Sequence, residues 1–300
     1  MPSRTRPSPV KESVDSPRAV GDKPSISFGV AYEDIEYAHP AGEPLLARVY
    51  RPLDARESCP ALVDVHGGAW AYFDRTVDAY FDEALAASGM VVVALDFRQG
   101  AGHRFREAVA DVLDGIRWTR ANATRLGLRP DPLGLIGGSS GGHLLMLAAL
   151  RPGGDEARVA YALPLWPILD PLARYRYLLD RRANPRPARD ELFQPDRLIA
   201  AHETFFASED EMQEASALRI VEAGEAECLP PIWVAHPELD ENVTLEMTRR
   251  FVAAYRAAGG TADLEVFPAV GHSFANFPGE VADRCIARMR SFIARQLAAG

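Results

Sequence analysis

The sequence contains little cysteine: its 300 residues include only Cys59, Cys228 and Cys285. These three are far apart and none belongs to a Cys-x-x-Cys pair, so neither a disulfide framework nor a cysteine-rich metal site is predicted. A few scattered thiols are typical of a protein in a reducing compartment, and we therefore expect a cytoplasmic protein.

Long apolar runs are also missing. No segment approaches the ~20 apolar residues that a membrane-spanning helix needs, so we expect no membrane span. Residues 1–27 contain five prolines and no apolar core, which argues against a secretory signal. We predict that residues 1–31 form an N-terminal arm and that residues 32–300 form a single domain.

Positive charge is in the minority. Lys and Arg total 33 against 42 Asp and Glu, which gives a formal net charge of −9. Nucleic-acid binding requires uncompensated basic clusters, so this balance argues against a nucleic-acid partner. Hydrophobic residues make up 47% of the chain and charged residues 25%, as in globular proteins built around an apolar core.

Short apolar segments alternate with helical patterns along most of the chain. Such alternation is typical of a parallel sheet with helices on both faces. We therefore predict an α/β fold with a mostly parallel eight-stranded sheet, in which the first two strands form an antiparallel pair. The predicted strands are residues 32–37, 45–50, 61–65, 90–95, 133–136, 159–165, 231–235 and 264–267, and the predicted helices are residues 79–87, 108–122, 144–150, 245–258 and 281–297.

Residues 170–228 interrupt the alternation. Seven arginines lie between Arg174 and Arg197, and an acidic run follows from Glu203 to Glu227. A stretch of this length inside a sheet fold is usually an insertion, and we predict a helical lid over a ligand site. The alternative is a solvated helical pair with no role in the chemistry. The arginines suggest a binding site for a carboxylate or phosphate, although surface arginines usually only solvate a helix.

The segment with the clearest chemical signal is residues 135–144, which read Leu-Ile-Gly-Gly-Ser-Ser-Gly-Gly-His-Leu. A buried strand that enters a Gly-x-Ser-x-Gly turn and then a helix predicts a nucleophile elbow. Two registers fit: Ser139 between Gly137 and Gly141, or Ser140 between Gly138 and Gly142. We favour Ser139, because it follows the strand directly and leaves Gly142 for close helix packing.

Adjacent glycines follow another predicted strand, in His66-Gly67-Gly68-Ala69-Trp70. Such glycines allow backbone N–H groups to point towards a ligand oxygen, so we expect Gly67, Gly68 and the N–H of Ser140 to form an oxyanion hole. A plain strand-to-helix turn is the alternative.

A serine nucleophile of this type requires an acid and then a histidine later in the chain. Residues Glu238, Asp240 and Glu241 follow the strand at 231–235, and Asp240 stands just ahead of a helix. His272 follows the last strand, and reactive groups of such sheets gather at this edge. We predict a Ser139–Asp240–His272 triad.

These motifs resemble the α/β-hydrolase superfamily, in particular hormone-sensitive-lipase-like esterases and arylformamidase-like hydrolases. Residues 66–70 are similar to the family's His-Gly-Gly-Gly motif and residues 137–142 to its Gly-Asp-Ser-Ala-Gly-Gly elbow, and the likeness places the nucleophile at Ser139. Asp240 and His272 fall on the family's acid and its Gly-His-x-Phe histidine.

The chain departs from the family pattern at three places. Ala69 replaces the third glycine, which is tolerable if its φ is negative, and Pro237 replaces a glycine before the acid. Residues 99–102 replace a Leu-Ala-Pro-Glu loop that normally braces the oxyanion strand.

The motifs together predict a serine hydrolase that cleaves small-molecule carboxylic esters through an acyl-enzyme. A lactonase, arylformamidase or amidase with the same triad is the alternative, and a non-catalytic binding module on this fold is a further one. No cofactor and no metal ion are expected. The resemblance implies that a homodimer is possible.

Overall fold

The structure, a computed structural model, describes residues 28–53, 55, 58–190 and 193–299. Most of the predicted N-terminal arm, residues 1–27, lies outside the described residues. The first strand begins at Val30, so the last two residues of the predicted arm, Val30 and Ala31, belong to the sheet. Phe28 precedes this strand and its backbone N–H donates to the carbonyl of Ala87.

An eight-stranded sheet forms the centre of the fold, with strand order β1-β2-β4-β3-β5-β6-β7-β8. The pairs β1–β2 and β2–β4 are antiparallel, and the other five are parallel. The predicted α/β fold is therefore confirmed. The strands are β1 Val30–Ala38, β2 Leu45–Pro52, β3 Cys59–Val65, β4 Val91–Leu95, β5 Leu128–Gly138, β6 Tyr161–Leu165, β7 Ile232–Pro237 and β8 Ala262–Phe267.

The inner strands are apolar because helices cover both of their faces. All five residues of β4 are buried, as the continuous valine run predicts. The prediction for β5 was too short: the strand begins at Leu128, not at residue 133. Its first half, residues 129–131, is exposed and polar, so it carries no hydrophobic pattern from which a strand can be predicted.

Helices pack on both faces of the sheet. Helices α2, α4 and α9 share one apolar core with the sheet, and α1 and α10 share the other. Residues 170–228 form four further helices, α5 to α8, between β6 and β7. The helices are α1 Ala79–Ala87, α2 Phe105–Ala121, α3 Ala123–Leu126, α4 Ser139–Leu150, α5 Pro171–Ala183, α6 Pro195–Phe205, α7 Glu209–Glu214, α8 Ala217–Glu222, α9 Leu245–Ala257 and α10 Glu280–Ala299.

Three aspartates are buried between β3 and α1, namely Asp64, Asp78 and Asp82. Burial raises the pKa of Asp78 to about 7. Burial, and then the charge of Asp78, raises the pKa of Asp82 well above its ordinary value. Burial, and then the charge of Asp82, also raises the pKa of Asp64 well above its ordinary value. Within the described part of the chain, neither carboxyl oxygen of Asp82 has a hydrogen-bond partner. The folded protein therefore holds protons here that the unfolded chain releases.

Because these pKa values are raised, their contribution to stability is complete below about pH 4 and is lost as the pH rises through the folded-state values. We expect Asp82→Asn, whose amide resembles the protonated carboxyl, to lose less stability than wild type as the pH rises. Between pH 5 and pH 8 its free energy of unfolding, relative to wild type, should improve by at least about 1 kcal/mol. Urea denaturation at several pH values measures this. Glu246→Gln, which removes an exposed carboxylate on α9, is the control, and parallel pH profiles for Asp82→Asn and wild type would contradict the prediction.

Candidate active site

Ser139, His272 and Asp240 meet at the carboxyl edge of the sheet. Ser139 Oγ lies 2.8 Å from His272 Nε2, and His272 Nδ1 lies 2.8 Å from Asp240 Oδ2. All three residues are buried, with relative exposures of 6%, 8% and 7%. Ser139 follows β5, Asp240 follows β7 and His272 follows β8. The parallel sheet thus brings together residues that are 133 positions apart in the sequence.

The turn at Ser139 has the geometry of a nucleophile elbow. Ser139 has a φ of +55°, in the left-handed region that side chains with a Cβ rarely adopt. A Cβ on Gly137 would lie 2.2 Å from the carbonyl oxygen of Val65, and one on Gly141 would lie 1.8 Å from it. Both positions therefore require glycine. This packing presses the turn against the end of β3 and exposes Ser139 Oγ to His272.

Ser140, the alternative nucleophile, makes no side-chain hydrogen bond to the histidine. Its hydroxyl is buried and has no hydrogen-bond partner among the described residues. A Cβ on Gly138 or Gly142 would lie 2.8 Å from the nearest atoms of Trp166 and Pro167, which is a milder clash than those at Gly137 and Gly141. The geometry therefore favours the Ser139 register.

Among the three candidate acids, Asp240 is the one that contacts His272. Its other oxygen, Oδ1, accepts the N–H groups of Asn242 and Val243 at 2.8 and 2.9 Å, which fixes the plane of the carboxyl group. Glu238 instead accepts the N–H of Ala269 at 2.9 Å. Glu241 forms an ion pair with Arg181. Pro237, a departure from the family pattern, is the last residue of β7 and leaves this arrangement intact.

Asp190 is a neighbour of the site that the sequence motifs did not indicate. Its Oδ2 accepts the backbone N–H of His272 at 3.0 Å, and Asp190 is 5% exposed. A Cβ on Gly271 would lie 3.1 Å from the Asp190 carboxyl carbon, so glycine allows the close approach. Asp190 belongs to the arginine-rich segment and stands in no motif, so no local signal marks it.

The loop after β3 lies beside Ser139. Gly68 has a φ of +121°, and a Cβ there would lie 2.0 Å from the carbonyl oxygen of Tyr72. A Cβ on Gly67 would lie 3.5 Å from that of Ser139. Within the described residues, the N–H groups of Gly67 and Gly68 donate no hydrogen bond. The N–H of Ser140 lies in the first turn of α4, where helical N–H groups lack an intrahelical acceptor.

From the sequence, Ala69 is expected to be tolerable if its φ is negative, but its φ is +52°. Trp70 follows with a φ of +58°. The indole of Trp70 is fully buried, stacks on Phe205 at 5.2 Å and donates from Nε1 to His143 Nδ1 at 3.1 Å. The backbone N–H of Gly100 donates to the Trp70 carbonyl at 2.8 Å, so the divergent loop at 99–102 still braces this segment.

Helix α5 is attached to the loop that carries Asp240. Arg174 is 1% exposed and donates from Nε to the carbonyl of Asn242 at 3.0 Å and from Nη2 to its side-chain oxygen. Its Nη1 donates to His202 Nε2 at 2.7 Å, so that His202 is neutral. Burial, followed by the charge of Arg174, lowers the pKa of His202 well below its ordinary value.

A second contact reinforces this attachment. Arg181 Nη1 donates to Glu241 Oε1 at 2.9 Å. The other oxygen of Glu241 accepts the backbone N–H groups of Arg189 and Asp190, the latter at 3.3 Å. Two of the arginines that suggested an anion site, Arg174 and Arg181, are therefore occupied by partners inside the protein.

A cavity of about 170 Å³ opens above Ser139 and His272. Its wall is mainly apolar, and α6 provides part of it, so residues 170–228 contribute directly to the site. Among the described residues, no helix is both long and apolar enough to cross a bilayer, and no group of three or more His, Cys, Asp or Glu side chains is placed to hold a metal ion. The cavity is lined by Gly68, Ala69, Tyr72, Phe73, Ser139, Gln194, Arg197, Leu198, Asn242, His272 and Ser273.

Known proteins resemble this chain both in sequence and in structure. A family described by the α/β-hydrolase fold matches residues 62–276. The chain is 29% identical to esterase LipC of Mycobacterium tuberculosis over 72% of its own length and 53% of the relative's. It is 28% identical to esterase LipQ of the same organism, over 84% of this chain and 59% of the relative. The chain thus spans about half the length of the curated relatives it matches.

The fold is also shared with solved structures. Thermogutta terrifontis esterase Est2 with bound propionate superposes with a TM-score of 0.69 at 25% identity, covering 88% of this chain and 94% of that one. The native form of Est2 gives a TM-score of 0.68 at 26% identity, covering 88% and 92%. Because the family match covers more than two thirds of the sequence and the fold agrees over most of it, the chain belongs to the α/β-hydrolase family.

Proposed function

We propose that this protein is a serine hydrolase that cleaves carboxylic esters through an acyl-enzyme. The observation that carries the proposal is the hydrogen-bonded series Ser139–His272–Asp240 at the base of an apolar cavity. The relatives that are named esterases support the same reaction class. Lactonase, arylformamidase and amidase reactions use the same acyl-transfer steps and differ in the group that leaves.

In the first step, Ser139 Oγ attacks the ester carbonyl while its proton passes to His272 Nε2. The distance of 2.8 Å between these atoms suits a general base. Asp240 accepts the Nδ1–H of His272, which holds the tautomer with a free Nε2 and stabilises the imidazolium that forms. The imidazolium then protonates the departing alcohol.

The attacked carbonyl oxygen becomes an oxyanion and requires hydrogen-bond donors. We assign this role to the N–H groups of Gly67, Gly68 and Ser140. The N-terminal end of α4 adds the positive end of its dipole at the same place. Donors that are fixed before the reaction need no reorganisation, which is why such sites lower the barrier.

Water completes the cycle. His272 Nε2 takes a proton from a water molecule, which attacks the acyl-Ser139 carbonyl, and the same oxyanion donors hold the second tetrahedral intermediate. Proton return from the imidazolium to Ser139 Oγ releases the acid and restores the enzyme.

The proposed domain organisation follows from the same site. The hydrolase domain begins at Val30 with β1, and residues 170–228 act as a helical lid, since α6 lines the cavity above the nucleophile. The small, mostly apolar cavity favours short or medium acyl chains. The assignment of residues 1–27, which lie outside the described residues, to an N-terminal arm stays a prediction.

Exchanging the two neighbouring serines tests the nucleophile. We expect Ser139→Ala to lower kcat on 4-nitrophenyl acetate and butyrate by at least about 10³-fold, because it removes the attacking atom. Ser140→Ala should stay within about threefold of wild type, since its hydroxyl has no partner among the described residues. A fluorophosphonate probe with peptide mapping should label Ser139. Undiminished turnover or labelling in Ser139→Ala would disprove the assignment.

The acid is tested in the same way. Asp240→Asn keeps the shape of the side chain but favours the wrong tautomer of His272, and we expect kcat to fall about 10³- to 10⁴-fold. Glu238→Gln is the matched control, because Glu238 lies two residues away and accepts only from the backbone of Ala269 in the described structure. Steady-state kinetics of both variants, with circular dichroism to verify folding, distinguish them. Equal losses in the two variants would exclude the role given to Asp240.

A further inference from the structure

The cavity above Ser139 has a positively charged residue in its wall. Of the described residues that line it, Arg197 is the only one with a permanent charge, and none is an aspartate or glutamate. The remaining wall is formed by apolar, amide, hydroxyl and backbone groups, together with His272. Because no carboxylate is present among the described lining residues, this cation gives the cavity a positive side, although the whole chain carries −9.

Several other arginines of residues 170–228 have ionic or hydrogen-bonding partners, and Arg197 differs from these. Arg174 and Arg181 are buried and bind the loop that carries Asp240. Arg176 forms an ion pair with Glu209 at 2.6 Å. Within the described residues, Arg197 makes no ion pair. Its guanidinium carbon lies 4.0 Å from the centre of the Tyr72 ring, a cation–π contact at the cavity wall.

This contact prepares the guanidinium for a planar anion. The contact with the Tyr72 ring restricts the side chain, and the guanidinium N–H groups make no hydrogen bond to a described residue, so they stay available as donors. A carboxylate matches that edge with two parallel hydrogen bonds. Gln194, one turn earlier and also in the cavity wall, offers a further amide donor.

Resting on the proposed esterase function, we propose that the cavity accepts esters that carry a carboxylate remote from the scissile bond, with Arg197 as the residue that determines this preference. The carboxylate binds the Arg197 edge while Ser139 attacks the ester carbonyl. The negative net charge of the protein acts against an anionic substrate only weakly, since charges beyond about 10 Å are screened at 0.1 M salt. The nearby Arg197 is screened less.

Matched ester pairs test this preference. On the acyl side, 4-nitrophenyl hemiadipate is compared with 4-nitrophenyl 6-methylheptanoate, in which methyl groups replace the carboxylate oxygens. On the alcohol side, 4-acetoxybenzoate is compared with 4-isopropylphenyl acetate. We measure kcat/KM for each, corrected for spontaneous hydrolysis, and the pair with the larger ratio shows which side of the ester meets Arg197.

In wild type, the anionic member of at least one pair should be preferred, and Arg197→Gln should lower that ratio by roughly tenfold, mainly through KM. Arg197→Lys should keep part of the preference. Raising the salt concentration should weaken it. Arg176→Gln is the control, because Arg176 is an exposed arginine of α5 whose partner is Glu209, and it should leave the ratio unchanged.

Two negative results have different meanings. If neutral esters are hydrolysed in a Ser139-dependent way but the ratios are equal in wild type and Arg197→Gln, the preference is refuted and the esterase function stands. If no ester in either pair is hydrolysed by folded protein, the proposed function itself fails.

Discussion

The contact between the Gly137–Gly141 turn and the end of β3 is the constraint on which the active site depends. The carbonyl oxygen of Val65 lies where a Cβ of either glycine would be, so the turn can reach β3 only without those side chains. The same contact places Ser139 beside Gly67, because the chain leaves β3 at Val65 and reaches Gly67 two residues later. One packing requirement thus fixes both the proposed nucleophile and the backbone donors that we assign to it.

The sequence predicts this part of the molecule well, because its signals are local. Glycines at fixed spacing, continuous apolar strands and the motifs around Ser139, Asp240 and His272 are each visible within short windows, and the chain order of these motifs adds to the prediction. The hydrophobic pattern failed where a strand leaves the core, as in the exposed first half of β5. It also gave no indication of the positive φ of Ala69.

No local pattern predicts the contacts between helix α5 and the loop that carries Asp240. Arg174 and Asn242 are 68 positions apart, and Arg181 and Glu241 are 60 apart. From the sequence, both arginines belong to a basic cluster that resembles a solvated surface or an anion site. In the fold they hold the loop whose backbone N–H groups orient Asp240, so α5 is part of the framework of the site. Movement of a lid over this cavity would therefore have to involve α6 more than α5.

Contacts with the helices of residues 170–228 also stabilise the strained loop at residues 66–70. Ala69 and Trp70 both adopt left-handed backbone conformations, which cost of order 1 kcal/mol each for residues with a Cβ. Burial of the Trp70 indole against Phe205 and Phe206 of the α6 region provides compensating apolar and aromatic contact. The hydrogen bond from Trp70 to His143 fixes the ring to the helix that starts at Ser139. The loop of residues 66–70, helix α4 and α6 are therefore coupled through the side chain of Trp70, and loosening α6 would release the strained loop.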